Sequence, residues 1–136
     1  MAKDKPRMVP LITLVDDDIS VRKSLERQLK SVRLEVRTFA SAEDFLNFSD
    51  VREPDCLILD VRLPGMSGIE LHRHLLAHGS KVPVIFITAH MSEERVRSEA
   101  ASEYTVAYLI KPLGNELLEA VDAALKWTPR GQDSFN

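Results

Sequence analysis

The sequence predicts an α/β domain in which a five-stranded parallel sheet carries helices on both faces. Three short runs are almost entirely apolar and show no polar alternation: Leu11–Val15, Cys56–Leu59 and Val84–Ile87. Strands that are covered on both faces have this pattern, and such strands are typical of parallel sheets. Segments with apolar residues at helical spacing separate the runs, so strands and helices alternate along the chain. Together these observations indicate a doubly wound sheet.

Two further strands complete the predicted sheet. Leu34–Phe39 alternates apolar and charged side chains, as a half-exposed edge strand does, and Val106–Ile110 is again mostly apolar. For five strand–helix units we adopt the order 2-1-3-4-5 of flavodoxin-like, doubly wound three-layer sandwiches. This order places the first and third strands side by side at the switch point, where ligands bind in such sheets.

The first two predicted helices each begin at a capping residue. Ile19–Val32 follows Asp18, whose carboxylate is a suitable N-cap. Ser41–Phe48 opens on a serine with Asp44 three positions later, which is close to a capping box. The side chains that we expect to face the core from these two helices are Val21, Leu25, Leu29, Val32, Phe45 and Phe48.

Three more helices follow. Ser67–His78 is apolar on one face, and Gly79 is placed to end it as a C-cap. Ser92–Ser102 is polar with few apolar anchors, so we expect it to be the least firmly held helix. Asn115–Trp127 has apolar residues at helical spacing.

Length and composition limit the class of protein. The 136 residues contain no internal repeat and suit one domain, which we expect at 11–127 between an N-terminal arm at 1–10 and a tail or linker start at 128–136. A net charge of -3 gives no reason to expect direct nucleic-acid binding. No run approaches the roughly 20 apolar residues needed to cross a membrane. The lone Cys56, which we read as a buried filler, cannot form an internal disulfide. We expect a soluble, cytoplasmic domain without membrane contacts.

Chemically distinctive residues stand at the ends of four of the predicted strands. Asp16, Asp17 and Asp18 follow the first strand, Asp60 the third, Thr88 the fourth and the pair Lys111-Pro112 the last. Because the carboxyl ends of parallel strands meet at one edge of the sheet, these side chains should lie close together. Carboxylates with an ammonium and a hydroxyl group suit a divalent cation and a phosphoryl group.

These residues closely resemble the receiver domain of two-component response regulators, in particular receivers of the FixJ group. The resemblance covers about Leu11 to Trp127, and several ordered motifs agree in sequence and separation. The matching segments are LITLVDDDISVRKSLERQL, TFASAEDFL, PDCLILDVRLPGMSGIEL, VPVIFITAH and YLIKPL.

The resemblance implies a role for each residue at the strand ends. Asp60 would be the phosphoacceptor, and Lys111 and Thr88 would contact the phosphoryl oxygens. A Mg²⁺ or Mn²⁺ ion would be bound directly by Asp17, Asp60 and the backbone carbonyl of Arg62, and by Asp16 through a water molecule. The Lys111-Pro112 bond is usually cis in this family.

The resemblance also implies partners and a route for the signal. The phosphoryl group would come from a sensor histidine kinase. Tyr108 matches the switch aromatic of the family and would turn inward as Thr88 moves toward the phosphate. The signal would leave through the face of the fourth helix, fifth strand and fifth helix, toward an output domain or partner protein. Phosphorylation-induced homodimerisation stays open, as do the kinase, the stimulus and the output.

Two sites depart from the family pattern. Arg33 stands where a glycine usually follows the first helix, and Tyr104-Thr105 replaces a Gly-Ala pair before the last strand. A left-handed backbone at a non-glycine residue costs roughly 1–2 kcal/mol, so either the helices end differently or the loops are strained. Arg62 and His90 flank the entrance of the site, and we expect them to set the rate at which water removes the phosphoryl group.

Other interpretations are open to different degrees. A haloacid-dehalogenase-type phosphatase needs a second aspartate two positions after its nucleophile, and this chain has Arg62 there. A flavodoxin-like cofactor binder needs a loop rich in Ser, Thr and Gly after the first strand, which is also missing. A receiver fold that acts as a phosphate-independent interaction module is the remaining alternative. His72, His74 and His78 are read as surface residues.

Overall fold

The computed structural model describes residues 9–48, 52–89 and 94–127. Strands and helices alternate through these residues. No helix in the described ranges has both the length and the apolar character that crossing a membrane requires. The strands are β1 Leu11–Val15, β2 Glu35–Phe39, β3 Cys56–Asp60, β4 Val84–Thr88 and β5 Thr105–Ile110, and the helices are α1 Ile19–Lys30, α2 Ala42–Asn47, α3 Gly68–Ala77, α4 Glu94–Ala100 and α5 Asn115–Lys126.

The five strands form one parallel sheet in the order β2-β1-β3-β4-β5. This is the flavodoxin-like order expected from the sequence. The apolar runs of β1, β3 and β4 are buried throughout, whereas the edge strands β2 and β5 are only partly covered. The unbroken apolar runs therefore identified the central strands correctly, and the alternation of apolar and charged residues identified β2 as an edge strand.

Two hydrophobic clusters fill the space on either side of the sheet, which makes the fold a three-layer sandwich. On one face, Leu29 of α1 and Leu117 of α5 pack against the sheet. On the other, Leu71 of α3 and Ala100 of α4 do so. Cys56 is fully buried, as expected of a small filler, and burial raises the pKa of its thiol to about 12.

Caps define most of the helix boundaries as the sequence predicts. The side chain of Asp18 accepts hydrogen bonds from the backbone N–H groups of Ser20 and Val21, and that of Ser41 accepts one from Asp44. Helix α3 is capped at His78, and the next residue, Gly79, adopts a positive φ of 88°, which its lack of a Cβ makes inexpensive.

The end of α1 differs from the prediction. The helix stops at Lys30, and the predicted core residue Val32 is 48% exposed. The chain turns away because Arg33 adopts a left-handed conformation with φ 69°, which lets the N–H of Leu34 reach the carbonyl of Leu29. Of the two outcomes considered for this non-glycine position, the strained turn is the one observed.

Two other expectations about helices need correction. Phe48 is 48% exposed and lies just after α2, where its ring packs on Phe39 at 5.3 Å between centroids. Of the pair predicted to face inward, Phe45 alone packs against the core. The last helical residue of α4 is Ala100, two positions before the predicted end, and the predicted start at Ser92 lies outside the described residues.

Candidate functional site

The carboxyl ends of β1, β3, β4 and β5 bring the predicted site residues to one edge of the sheet. Asp60 is the last residue of β3 and Thr88 the last of β4, while Asp16 and Lys111 directly follow β1 and β5. The N–H of Lys111 donates to the carbonyl of Thr88 at 2.7 Å, which fixes the two strand ends together. The edge that the sequence predicts is therefore formed.

Three carboxylates converge there. Asp16, Asp17 and Asp60 each place one oxygen within 4.8 Å of the others. Asp16 is fully buried and Asp60 is 5% exposed, whereas Asp17 faces solvent. An all-oxygen set that is reached from solvent on one side is typical of sites for hard divalent cations.

Lys111 lies across from two of these carboxylates. Its Nζ is 2.7 Å from Oδ2 of Asp16 and 3.3 Å from Oδ2 of Asp60. Burial alone would lower the pKa of Lys111, but the hydrogen bond and charge of Asp16 and the charge of Asp60 raise it above its ordinary value. The ammonium group therefore stays charged. The Lys111-Pro112 bond is cis, as the family resemblance implies.

Asp60 is the carboxylate whose titration is most disturbed. Burial, followed by the nearby charge of Asp16, raises the pKa of Asp60 to about 6. The ammonium of Lys111 and the N–H of Arg62, which donates to Oδ1 at 3.2 Å, act in the opposite direction. Asp60 is thus ionised at neutral pH, but its negative charge is poorly compensated. Binding a cation, or forming a bond to phosphorus, would therefore stabilise this carboxylate.

The loop after β1 is held by contacts that sequence reasoning did not identify. Oδ1 of Asp16 accepts a hydrogen bond from the N–H of Asp18 at 2.9 Å. The carbonyl of Asp16 accepts one from Arg22, in the first turns of α1, at 2.7 Å. Since an arginine early in an amphipathic helix reads as a solvated residue, no local signal points to Arg22.

Gly68 sets how closely the start of α3 approaches Asp60. A Cβ built at Gly68 would lie 2.1 Å from the carbonyl oxygen of Asp60, too close for any side chain. The N–H of Gly68 donates to the carbonyl of Val61 at 3.1 Å, and a capping box between Ser67 and Glu70 starts the helix. The PGMSGIEL segment contained this glycine, but its spacing alone did not show the close approach.

Thr88 and Tyr108 lie on the adjacent strands β4 and β5, whose carboxyl ends reach the carboxylate cluster. Thr88 is buried at the end of β4, and Tyr108 is partly buried in β5. The ring of Tyr108 is 6.4 Å from that of Phe86, and the guanidinium carbon of Arg97 in α4 lies 5.0 Å from the centre of the Tyr108 ring. Arg97 is a further residue that the sequence did not single out.

The remaining predicted residues have different outcomes. Arg62 is exposed beside the site, and His90 lies outside the described residues. His74 and His78 are exposed, as expected. The prediction that His72 is a surface residue is wrong: it is 4% exposed, because the face of α3 that packs on the sheet includes it, and its Nε2 has a hydrogen-bond partner in Ser102 at 2.9 Å.

Comparison with known proteins identifies the family. The model of the response regulator receiver domain matches residues 12–122. The transcriptional regulatory protein TdiR of Thauera aromatica is 41% identical over 126 residues, which are 92% of this chain and 55% of TdiR. FixJ of Azorhizobium caulinodans is 36% identical over 121 residues, covering 88% of this chain and 56% of FixJ. The chain therefore spans about half the length of these curated relatives.

Solved structures agree in fold. The crystal structure of FixJ-N superposes with a TM-score of 0.78 at 32% identity, covering 90% of this chain and 98% of that one. The resemblance to FixJ-type receivers that the motifs indicate is thus confirmed. The chain belongs to the response regulator receiver domain family.

Proposed function

We propose that the chain accepts a phosphoryl group on Asp60 from a sensor histidine kinase and thereby switches the face formed by α4, β5 and α5. The observation that carries the proposal is the pairing of a buried, poorly compensated carboxylate with a cation at the end of one sheet: Asp60 beside Asp16, with Lys111 in contact with both. Packing of the hydrophobic core does not require a buried carboxylate or a buried ammonium group, so their burial supports a role in a reaction.

The carboxylates fit a magnesium or manganese ion. Asp17 and Asp60, with the carbonyl of Arg62, would hold the ion directly, and Asp16 would hold it through a water molecule. The fit rests on the three converging carboxylate oxygens and on the preference of these ions for oxygen ligands. When bound, the ion supplies positive charge to the transferring phosphoryl group.

The residues of the chain supply alignment and charge for the transfer. An oxygen of the Asp60 carboxylate attacks the phosphorus, a P–O bond forms, and the bond from phosphorus to the imidazole nitrogen of the donor breaks. Lys111 already touches Asp60 and can contact a phosphoryl oxygen through its ammonium group. Thr88, whose carbonyl accepts from the N–H of Lys111, ends β4 at the same edge of the sheet, and its hydroxyl would contact another phosphoryl oxygen. Because phosphoryl transfer has a loose transition state, positioning and charge are the main requirements.

The signal would pass from Thr88 to Tyr108 and on to α4, β5 and α5. Tyr108 lies between the buried Phe86 ring and the Arg97 side chain, so a change in its position alters contacts on both sides. A following output domain is supported by relatives that are about twice as long as this chain. We propose that 11–127 is the receiver, 1–10 an arm and 128–136 a tail or the start of a linker, and that the protein works in the cytoplasm beside its kinase.

Intact mass after incubation with acetyl phosphate tests the proposal. Wild type should gain one phosphoryl group in the presence of Mg²⁺ and none with EDTA, and Asp60→Ala should gain none. Asp122→Ala, which changes an exposed carboxylate on α5, should behave as wild type. An adduct that forms on Asp60→Ala would contradict the proposal. If wild type shows no adduct and also fails to bind beryllofluoride with Mg²⁺, the chain is a phosphate-independent interaction module.

A further inference from the structure

A chain of hydrogen bonds joins α3 to the loop between α4 and β5. His72 Nε2 lies 2.9 Å from the hydroxyl of Ser102, which lies 3.0 Å from the hydroxyl of Thr105. The Thr105 hydroxyl donates to the carbonyl of Ala100 at 2.7 Å, at the end of α4. The N–H of Tyr104 donates to Ser102 as well, at 3.1 Å. Two of these residues stand where the sequence departs from the Gly-Ala pattern of the family.

The number of protons fixes the direction of every bond in the chain. A hydroxyl has one proton, and that of Thr105 is used on the carbonyl of Ala100. The Thr105 hydroxyl must therefore accept a hydrogen bond from the Ser102 hydroxyl. This bond uses the only hydroxyl proton of Ser102. Ser102 accepts from the N–H of Tyr104 and needs a second donor, which is Nε2–H of His72.

This direction assigns a protonation state to His72. The imidazole must carry its proton on Nε2, so Nδ1 of the neutral ring bears a lone pair. Nδ1 is buried and has no hydrogen-bond partner within the described ranges. Protonation would add a buried, unpartnered N–H donor beside the Phe86 ring, 5.6 Å away. Burial accordingly lowers the pKa of His72.

The neighbouring charges do not change this conclusion. The cavity beside His72 is lined by Arg73 from α3 itself and by Glu99 from α4, both exposed. Their charges are opposite in sign and are screened by solvent. The groups that face His72 from β4 and from the α4–β5 loop, Phe86 and Ser102, are uncharged.

Besides this hydrogen-bond chain, the partly buried Val96 and the contact of Arg97 with Tyr108 hold helix α4. Among its side chains that the structure describes, from Val96 to Ala100, one is buried, that of Ala100. The hydrogen-bond chain ends on the carbonyl of that same residue. Breaking this series of hydrogen bonds therefore removes the bond that holds the last residue of α4, Ala100.

We propose that His72, Ser102 and Thr105 form a directional clamp that holds the end of α4 on α3 while His72 is neutral. Protonation leaves the Nε2–H donor in place but adds a charged, buried Nδ1–H without a partner among the described residues, so the protonated ring leaves its buried position to reach water and the clamp opens. His72, the positioning residue, lies edge-on to Phe86, and Phe86 contacts Tyr108. The clamp therefore sets the resting position of one element of the proposed output face. Only this last step rests on the proposed function.

The first test is the tautomer of His72 in the full chain without a phosphoryl donor, by nitrogen-15 NMR of the imidazole rings. The clamp requires the neutral Nε2–H form at neutral pH. An Nδ1–H tautomer, or a protonated ring at neutral pH, would overturn it. Because no phosphorylation is involved, failure of the proposed function cannot alter this result.

The second test is amide hydrogen exchange of the segment from Ser98 to Thr105. Ser102→Ala should speed exchange there by about five-fold or more, as expected for the loss of about 1 kcal/mol of hydrogen bonding. The exposed change His74→Gln, on α3 with His72, should leave exchange as in wild type. Equal protection in Ser102→Ala and wild type would contradict the clamp.

Acidification separates a titrating clamp from a merely structural contact. After correction for intrinsic exchange, wild type and His74→Gln should lose protection in this segment between pH 7.5 and pH 5. His72→Gln keeps an N–H donor of similar reach but cannot titrate, so its protection should not change over that interval. A pH-dependent loss in His72→Gln equal to that of wild type would show that another group is responsible.

Discussion

Nζ of Lys111 lies 3.3 Å from Oδ2 of Asp60, so the proposed phosphoacceptor already contacts the cation proposed to stabilise its reaction. The same ammonium group is closer still to the fully buried Asp16. Lys111 consequently has two functions that mutation can separate: it compensates buried negative charge in the resting protein, and it supplies positive charge during phosphoryl transfer.

Replacing Lys111 with methionine keeps most of the aliphatic stem and removes the charge. We expect phosphorylation by acetyl phosphate to slow by about 10²–10³-fold, the range for losing one donor that stabilises a transition state. The fold should also lose up to about 3–5 kcal/mol at neutral pH, since two carboxylates remain buried without their partner. Urea unfolding and the initial rate of mass gain measure the two effects.

Lys126→Met is the control for this change. Lys126 pairs with Asp122 on the exposed face of α5, so its loss should cost less than about 1 kcal/mol and leave the rate unchanged. A Lys111→Met protein that is phosphorylated at the wild-type rate would show that Lys111 has only a structural role.

Asp60→Asn should stabilise the protein at pH 8 in EDTA. The pKa of Asp60 is about 6 in the folded protein, raised from 3.8, so the folded state binds the extra proton and unfolding becomes easier as pH rises from 4 to 7. The penalty is fully present above the folded pKa and disappears below 3.8. The gain for Asp60→Asn should be on the order of 2–3 kcal/mol at pH 8 and should shrink as pH falls through 6.

Thermal or urea unfolding at several pH values checks this prediction, with Asp122→Asn as the exposed control. A stabilisation that stays constant between pH 8 and pH 4 would mean that the charge of Asp60 is not its source.

Arg33→Gly should stabilise the end of α1. Relief of the left-handed strain at Arg33 should raise the free energy of unfolding by about 1–2 kcal/mol. The greater conformational entropy of glycine in the unfolded chain should lower it by about 0.5–1 kcal/mol. We expect a net gain of about 0.5–1 kcal/mol in urea unfolding. Arg33→Ala removes the same side chain but keeps the strain, so a gain of equal size in both variants would contradict this explanation.

Arg62→Ala and His90→Ala should shorten the life of the phosphorylated form by several-fold. Arg62 is an exposed, long side chain two residues after Asp60, and we propose that it and His90 limit the approach of water to the phosphoryl group. The measurement is the decay of phosphorylated protein after removal of acetyl phosphate, with exposed Arg73→Ala as the comparison. Unchanged decay in the double variant would exclude a role for both residues.

The central strands and the site could be predicted because each depends on a local pattern and one geometric rule. Unbroken apolar runs identified β1, β3 and β4. Once these strands and β5 are parallel, Asp16, Asp60, Thr88 and Lys111 must share one edge, whatever the details of packing.

What the sequence did not reveal depends on contacts between distant segments. His72 follows the buried Leu71 in a phase that faces inward, but its polarity suggested exposure, and its partner Ser102 lies 30 positions away. No glycine in the sequence marks the early end of α1, because Arg33 itself adopts the left-handed conformation. The role of Gly68 required the position of the Asp60 carbonyl, which only the fold supplies.

The most direct measurement is the position of the acyl phosphate. Borohydride reduces an aspartyl phosphate to homoserine, so wild type treated with acetyl phosphate and Mg²⁺, reduced and mapped by peptide mass spectrometry, should carry homoserine at position 60 and aspartate at 16 and 17. Homoserine at position 16 or 17, with position 60 unchanged, would contradict the assignment of Asp60 as the phosphoacceptor.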